Sequence, residues 1–316
     1  MLAAFCWLAR QQGEDGAWRE AGAPKSDVLL TGVALYAFLL AGYSPVSLSR
    51  VPDEGDVLLI GRVVQRGVVW LMAQQNADGS IGEAGPRSVL AHAVATLALC
   101  EAYGLSWHFL LKEPAKRAFE WLMAVQTPKR GWRESPDDRD DDTPTTAWCA
   151  LALRSGSLAG FLVPKRCRDG IMAWLAEVTE PAEPWHVGRH RRPARGERSD
   201  ALATGAGILT RVITNMSKQD PALGAITFLA KELPADAGGR FFGTAAITSY
   251  DGPNGALFKR WIAALDAALL AHQAAAGPER GSWPAEAPVG RASVTALNVM
   301  SLLAPRQFIS VFGTRN

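Results

Sequence analysis

A twelve-residue phrase recurs along the chain and restricts the fold more than any other feature. Trp7-Leu8-Ala9-Arg10-Gln11-Gln12-Gly13-Glu14-Asp15-Gly16-Ala17-Trp18 returns as Trp70-Leu71-Met72-Ala73-Gln74-Gln75-Asn76-Ala77-Asp78-Gly79-Ser80-Ile81. It returns again as Trp121-Leu122-Met123-Ala124-Val125-Gln126-Thr127-Pro128-Lys129-Arg130-Gly131-Trp132. A fixed phrase at a spacing of roughly 50 residues marks a repeat architecture. Units of such an array bury their apolar faces only against their neighbours. Residues 1–316 therefore read as one closed or stacked array, although their length would suit two average domains.

Aligned on the Trp-Leu slot, six units begin near Trp7, Trp70, Trp121, Trp174, Phe228 and Ala268. The fourth, Trp174-Leu175-Ala176-Glu177, lacks the glutamine, and the sixth closes with Gly281-Ser282-Trp283 after an insertion. A second, almost wholly apolar segment follows each turn: 27–40, 88–103, 143–154, 200–212, 241–250 and 292–303. Their length favours buried helix over strand. The first segment of each pair carries more charge, as in Arg117-Ala118-Phe119-Glu120-Trp121. A helix apolar all round is buried, whereas one with a single apolar stripe lies at a surface. The pattern predicts two concentric layers, an all-α (α/α)6 toroid of twelve helices with a central, mostly apolar cavity. Asp27-x-x-x-Thr31, Asp142-x-x-x-Thr146 and Asp200-x-x-x-Thr204 open three inner segments, with Ser88 and His92 in the same slots of unit two. Aspartate at a helix start accepts bonds from free N–H groups and suits the positive end of the dipole.

Cys6, Cys100, Cys149 and Cys167 show no C-x-x-C or zinc-type spacing and read as buried thiols in a reducing, cytoplasmic compartment. A net charge of +2 argues against a general nucleic-acid binder. No apolar run reaches the ~20 residues that span a bilayer, and Met1–Gln12 reads as the first repeat helix, so at most peripheral membrane contact is expected.

The phrase resembles the QW repeat of the terpene cyclase and prenyltransferase superfamily, in its squalene–hopene cyclase branch. Gln12, Gly16 and Trp18 match it fully, Ile81 takes the tryptophan slot of unit two, and Arg130 the glycine slot of unit three. The resemblance covers all six units and extends to single-toroid proteins carrying the same repeats. It implies an apolar small-molecule partner of isoprenoid type, and no metal or cofactor. The matching residues themselves read as structural ties, because a glutamine amide can bond free backbone groups at a helix end and stack on an indole.

Chemistry, if present, belongs to Asp137-Asp138-Arg139-Asp140-Asp141-Asp142-Thr143. Class II cyclases carry Asp-x-Asp-Asp-Thr here, and the resemblance puts Asp141 in the proton-donor slot, tuned by Asp140 and Asp142. Arg139 stands where the first aspartate of that motif would be. Clustered carboxylates raise one another's pKa and keep a proton available. Asp142 also repeats the capping slot of Asp27 and Asp200, and Asp137–Asp141 reads equally as a solvated acidic turn. Carboxylates could hold Mg²⁺ with substrate phosphates, but a separated class I motif is absent. Zinc is not expected, since no Asp-x-Cys pair occurs, and His92 and Cys149 read as core groups. The basic stretch Arg189–Arg198 could grip phosphate, cover the toroid mouth, or lie in solvent.

Two functions follow. The first is a terpene-cyclase-like protein holding an isoprenoid or other apolar chain, with protonation-initiated cyclisation by Asp141. The second is a non-catalytic toroid that binds a protein or lipid partner.

Overall fold

The computed structural model describes residues 1–20, 27–53, 55–82, 88–128, 130–135, 137–180, 188–196, 199–214 and 224–306. Six helices carry the apolar segments: α2 (Asp27–Leu40), α4 (Val89–Ser106), α6 (Thr143–Leu158), α8 (Ala201–Ile213), α10 (Ala237–Asp251) and α12 (Arg291–Leu303). They pack in the cyclic order α2–α4–α6–α8–α10–α12, and α12 returns to α2. The ring therefore closes, with units one and six adjacent. Helices α1 (Leu2–Arg10), α3 (Ile60–Ala73), α5 (Phe109–Ala124), α7 (Lys165–Val178), α9 (Ile226–Leu229) and α11 (Ala256–His272) form the outer layer. Helix α3 packs on α2 and α4, α5 on α4 and α6, α7 on α6 and α8, and α9 on α8 and α10. The layers follow from the residues. Helix α11 buries only Trp261, Leu265 and Leu269, a single stripe with a four-residue step. Helix α4 buries fourteen of the fifteen residues from Val89 to Tyr103, all but Leu90. By length and composition α4 could cross a membrane, but here it is a ring helix packed between α2 and α6.

The inner helices start where polar side chains cap them. Ser88, Asp142, Asp200 and Asp236 accept from the backbone N–H three residues on, and Asp27 opens α2. The expected start of the fifth inner helix, residue 241, is corrected to Ala237 because Asp236 supplies the cap. The fifth outer helix is a single described turn, and its loop to Asp236 leaves no room for a Gln-Gly-Trp segment. Residues 50–53 and 56–59 of the first long connection pair as a small antiparallel hairpin, which the sequence pattern did not mark.

The repeated phrase makes one repeated set of bonds. The indole Nε1–H of Trp18, Trp132 and Trp283 donates to the carbonyls of Leu8 (2.7 Å), Leu122 (2.9 Å) and Leu269 (2.8 Å). Those carbonyls lie in the last turn of an outer helix, and Leu8 and Leu269 also accept from the backbone N–H of Gln11 (3.2 Å) and Gln273 (3.1 Å). The backbone N–H of Trp18, Trp132 and Trp283 donates to Thr31, Thr146 and Thr295 on the inner helix. This contact is why threonine recurs four residues after the capping aspartate. Each glutamine amide donates to its own turn and to the next outer helix: Gln12 to Gly16 and Val63, Gln75 to Gly79 and Pro114, Gln126 to Arg130 and Cys167. The glutamines thus link unit to unit around the ring. The turn glycine is needed because φ is +97° at Gly16 and a Cβ there would come within 2.4 Å of the Arg66 carbonyl oxygen.

Unit four meets the same demands with different residues. His190 takes the tryptophan slot, fully buried, its N–H bonded to Thr204 (3.2 Å). The bond that an indole would make to the outer helix comes instead from Arg211 Nη2, which donates to the Leu175 carbonyl at 3.0 Å. Arg211 Nε also donates to His190 Nε2 at 3.2 Å. Burial, with the neighbouring Arg211 charge, pulls the His190 pKa down to about 3, so its ring is neutral and can accept that bond.

Candidate functional site

The acidic cluster lies at the end of the ring where the inner helices begin. Asp142 is almost completely buried and fully engaged. It accepts from Thr145 N (3.0 Å) and Thr145 Oγ1 (2.8 Å), and from Arg192 Nε at 2.6 Å. Burial alone would lower the Arg192 pKa, but the adjoining Asp142 carboxylate together with Asp200 and Glu134 offsets it, and the net shift is upward. Asp141 is also fully buried. One of its oxygens accepts from Thr127 Oγ1 (2.6 Å) and Gly131 N (2.9 Å), and the other lies 4.0 Å from Arg133 Nε. Asp141 therefore ties the unit-three turn to the start of α6. Asp140 is half-buried, and Asp137 and Arg139 face solvent.

The basic stretch ends on this same cluster. Arg192 pairs with Asp142, and Arg191 contributes the carbonyl that accepts the Thr143 hydroxyl at 2.6 Å. Part of the stretch, residues 197–198, lies outside the described residues, as do 181–187 before it. Glu20 bonds Ala292 N at the start of α12, the Glu134 carbonyl accepts from Val89 N in α4, and Glu286 bonds Ala237 N in α10. The loops of units one, three and six therefore reach back to the preceding inner helix, and Arg192–Asp142 is the unit-four version of that tie.

The axis of the ring is occupied at mid-height. Tyr36 of α2 meets Trp148 of α6 edge-on, with centroids 6.5 Å apart. Trp148 stacks on Phe241 of α10 at 5.3 Å. Helices α2, α6 and α10 are not ring neighbours, so these three rings meet across the axis and form an aromatic layer. Leu29, Leu90 and Leu202, each two residues past the first or capping residue of its helix, are half-buried at the acidic end of the ring, and Leu297 is half-buried at the level of Trp148. Leu29 precedes Tyr36 by two helical turns and shares its face.

Glu101 is the acidic residue that the sequence reading missed. It sits on α4 three turns beyond Leu90, buried, and hydrogen-bonds Ser155 of α6. Burial pushes its pKa up to about 7, opposed by the Ser155 bond, so the carboxyl holds its proton through mildly acidic pH. The signal in the sequence was a lone carboxylate within a helix apolar on every face. Such a weak acid is suited to hydrogen bonding and unsuited to protonating an alkene.

His92 fills the threonine slot of unit two: Nδ1 accepts from Ile81 N at 2.9 Å, which places the proton on Nε2, 2.9 Å from the Ala118 carbonyl. The four cysteines are free and buried, and burial raises the thiols of Cys100 and Cys149, which keeps them protonated. Among the described residues, no group of three His, Cys, Asp or Glu side chains could hold a metal ion.

No family model matches the chain. No curated protein matches it. Solved structures do. A GH76A α-1,6-mannanase from Salegentibacter sp. HEL1_6 superposes with a TM-score of 0.63 at 13% identity, over 96% of this chain and 98% of that one. An α-amylase from Clostridium perfringens gives 0.62 at 12%, over 96% of each chain. The type II terpene cyclase MstE from Scytonema gives 0.60 at 15%, over 96% and 97%. The fold is an α/α toroid. At these identities the likeness speaks for the fold alone, and two chemistries share it.

Proposed function

We propose that this chain is a terpene-cyclase-like toroid that binds an apolar molecule in a vestibule walled by Leu29, Leu90, Leu202 and Leu297, with the aromatic layer as its floor, and does not perform protonation-initiated cyclisation. The aromatic layer supports this reading most directly. With Tyr36, Trp148 and Phe241 in contact across the axis, the space that a cyclising chain would fill is taken by side chains. The carboxylates add to it: Asp142 is a helix cap and ion-pair partner, and Asp141 holds a turn. What is left is a shallow apolar basin walled by leucines, which offers area and no acid. Burial of hydrocarbon there is worth about 25 cal/mol per Å². A fluorescent hydrocarbon probe should bind saturably, and Leu202→Glu should abolish binding with the fold intact. Unchanged binding by that variant would refute the vestibule as the site.

A second reading keeps Asp141 as proton donor. One observation favours it: Asp141 Oδ1 is buried and has no hydrogen-bond partner among the described residues. Under that reading Asp141→Asn removes turnover and keeps the fold.

A further inference from the structure

A cavity of about 380 Å³ lies between the turn before α10, the end of α11 and the segment that follows Trp283. Small-molecule sites span about 300–1,000 Å³, so its size suits a compact ligand. Helix α11 packs far more on α10 than on α12, and residues of all three helices line the cavity. Most of the wall is apolar: Leu233, Pro234, Ala268, Leu269, Trp283 and Pro284. Arg240 and Asn298, 7% and 1% exposed, line it as well, with Glu286 beside them.

Asn298 departs from the pattern of the ring. It stands three residues after Thr295, the residue that accepts from Trp283 N. The same slot after Thr31, His92, Thr146 and Thr204 holds Ala34, Ala95, Cys149 and Gly207. The slot faces the outer layer, since a Cβ added at Gly207 would come within 2.2 Å of the His190 ring. Unit six thus places an amide on a wall that the other units close with small residues. The amide oxygen is committed: Oδ1 accepts from Arg240 Nε at 3.1 Å. Arginine only donates, so this contact fixes which amide atom is the oxygen. Nδ2 is left buried, with no hydrogen-bond partner among the described residues. An unpaired buried donor is costly, and support of Arg240 uses the oxygen alone.

The charges on the wall are already matched. Arg240 pairs with Glu286 and donates to the carbonyls of Pro234 and Ala235, and Glu286 also accepts from Ala237 N (2.7 Å). Neither charge is left over for an ionic ligand, and a pure hydrocarbon would leave Nδ2 unpaired. We propose that the cavity binds a compact neutral molecule with an apolar body and one carbonyl oxygen, which accepts from Asn298 Nδ2. The site lies between the two helix layers, apart from the vestibule, and its test is independent of that reading.

Calorimetric titration of the full chain with 1-tetralone, tetralin and 1-naphthoate decides it. These probes share a bicyclic body and differ in carrying a carbonyl, no oxygen, or a carboxylate. Tetralone should bind one per chain, and tetralin about tenfold more weakly, the scale of one buried donor satisfied. Naphthoate should also bind at least tenfold more weakly than tetralone. Asn298→Asp keeps an oxygen for Arg240 and removes the donor, so it should weaken tetralone about tenfold without altering the circular dichroism. Ala268→Phe, at a half-buried position on α11, fills the cavity without touching the Arg240–Asn298 bond and should abolish binding of tetralone and tetralin alike. Leu202→Glu, in the vestibule, should leave tetralone binding unchanged. Tetralin binding as tightly as tetralone, tetralone binding unchanged by Asn298→Asp and Ala268→Phe, or no saturable binding of tetralone at all would each overturn the proposal.

Discussion

Arg130 stands where the other turns carry glycine, and its backbone is left-handed, with φ +80°. A side chain in that region costs about 1–2 kcal/mol. In units one and two the turn glycine faces a next-helix residue that has a Cβ: Gly16 meets Arg66 and Gly79 meets Arg117. In unit three the pair is reversed. Arg130 has the Cβ, and the facing residue on α7 is Gly170, where an added Cβ would lie 3.2 Å from Arg130 Cβ and 2.7 Å from Gln126 Nε2. The account therefore predicts coupling. Arg130→Gly alone should stabilise by about 0.5–1 kcal/mol, the released strain less the added entropy of an unfolded glycine. Gly170→Ala alone should lose about 1–2 kcal/mol, because crowding outweighs its better helix propensity. In the double variant the turn has the Gly-against-Cβ arrangement of units one and two, and Gly170→Ala should become neutral or favourable. The coupling should then reach about 1–2 kcal/mol, against the 0.3–0.5 kcal/mol scatter of independent sites. Urea denaturation of the four proteins measures it. Additive single and double effects would refute the claim that Arg130 and Gly170 are compensating residues.

Three further outcomes follow from the same geometry. Gly16→Ala, at φ +97° and against the Arg66 carbonyl, should cost more than about 2 kcal/mol in the same urea assay. Asp142→Ala should cost on the order of 3 kcal/mol, from the lost cap and the stranded Arg192, whereas Asp142→Asn, which can still cap, should cost about half that. Glu101 has a folded-state pKa of about 7 against an ordinary 4.5, so the folded protein holds the extra proton between those values. Its contribution is therefore present below pH 4.5 and is lost as pH rises through 7. Glu101→Gln should remove an alkaline-side loss on the order of 3 kcal/mol, read as a flatter urea-midpoint profile from pH 5 to 8.

Much of the ring was legible because its units repeat one physical problem. The last turns of α1, α5 and α11 offer a carbonyl to an incoming donor, and Trp18, Trp132 and Trp283 use it in the same way, so the phrase survives in sequence. The Asp-x-x-x-Thr spacing was readable for the same reason, since Thr31, Thr146 and Thr204 all accept from the incoming loop. Unit four was obscure because its solution is split between His190 and Arg211, which are far apart in the chain. The Arg130–Gly170 exchange was hidden too, since a glycine inside a helix gives no hint of what it faces. For Asp140, Asp141 and Asp142 the motif identified a cluster but could not say where the carboxyls point. That depends on Thr127 and Gly131 of the unit-three turn and on Arg192 of a loop some 50 residues on. The aromatic layer was invisible for a related reason: Tyr36, Trp148 and Phe241 were each visible as aromatic residues on inner helices, but only closure of the ring brings them together.

The central claim is that this toroid holds an apolar molecule without protonating it. The most direct measurement is prolonged incubation of the purified chain with squalene and, separately, with geranylgeranyl diphosphate, followed by mass-spectrometric analysis of the extracted products. The account predicts that each substrate is recovered uncyclised from the unmutated protein. A cyclised product formed by the unmutated protein and absent with Asp141→Asn would contradict it and establish Asp141 as the acid.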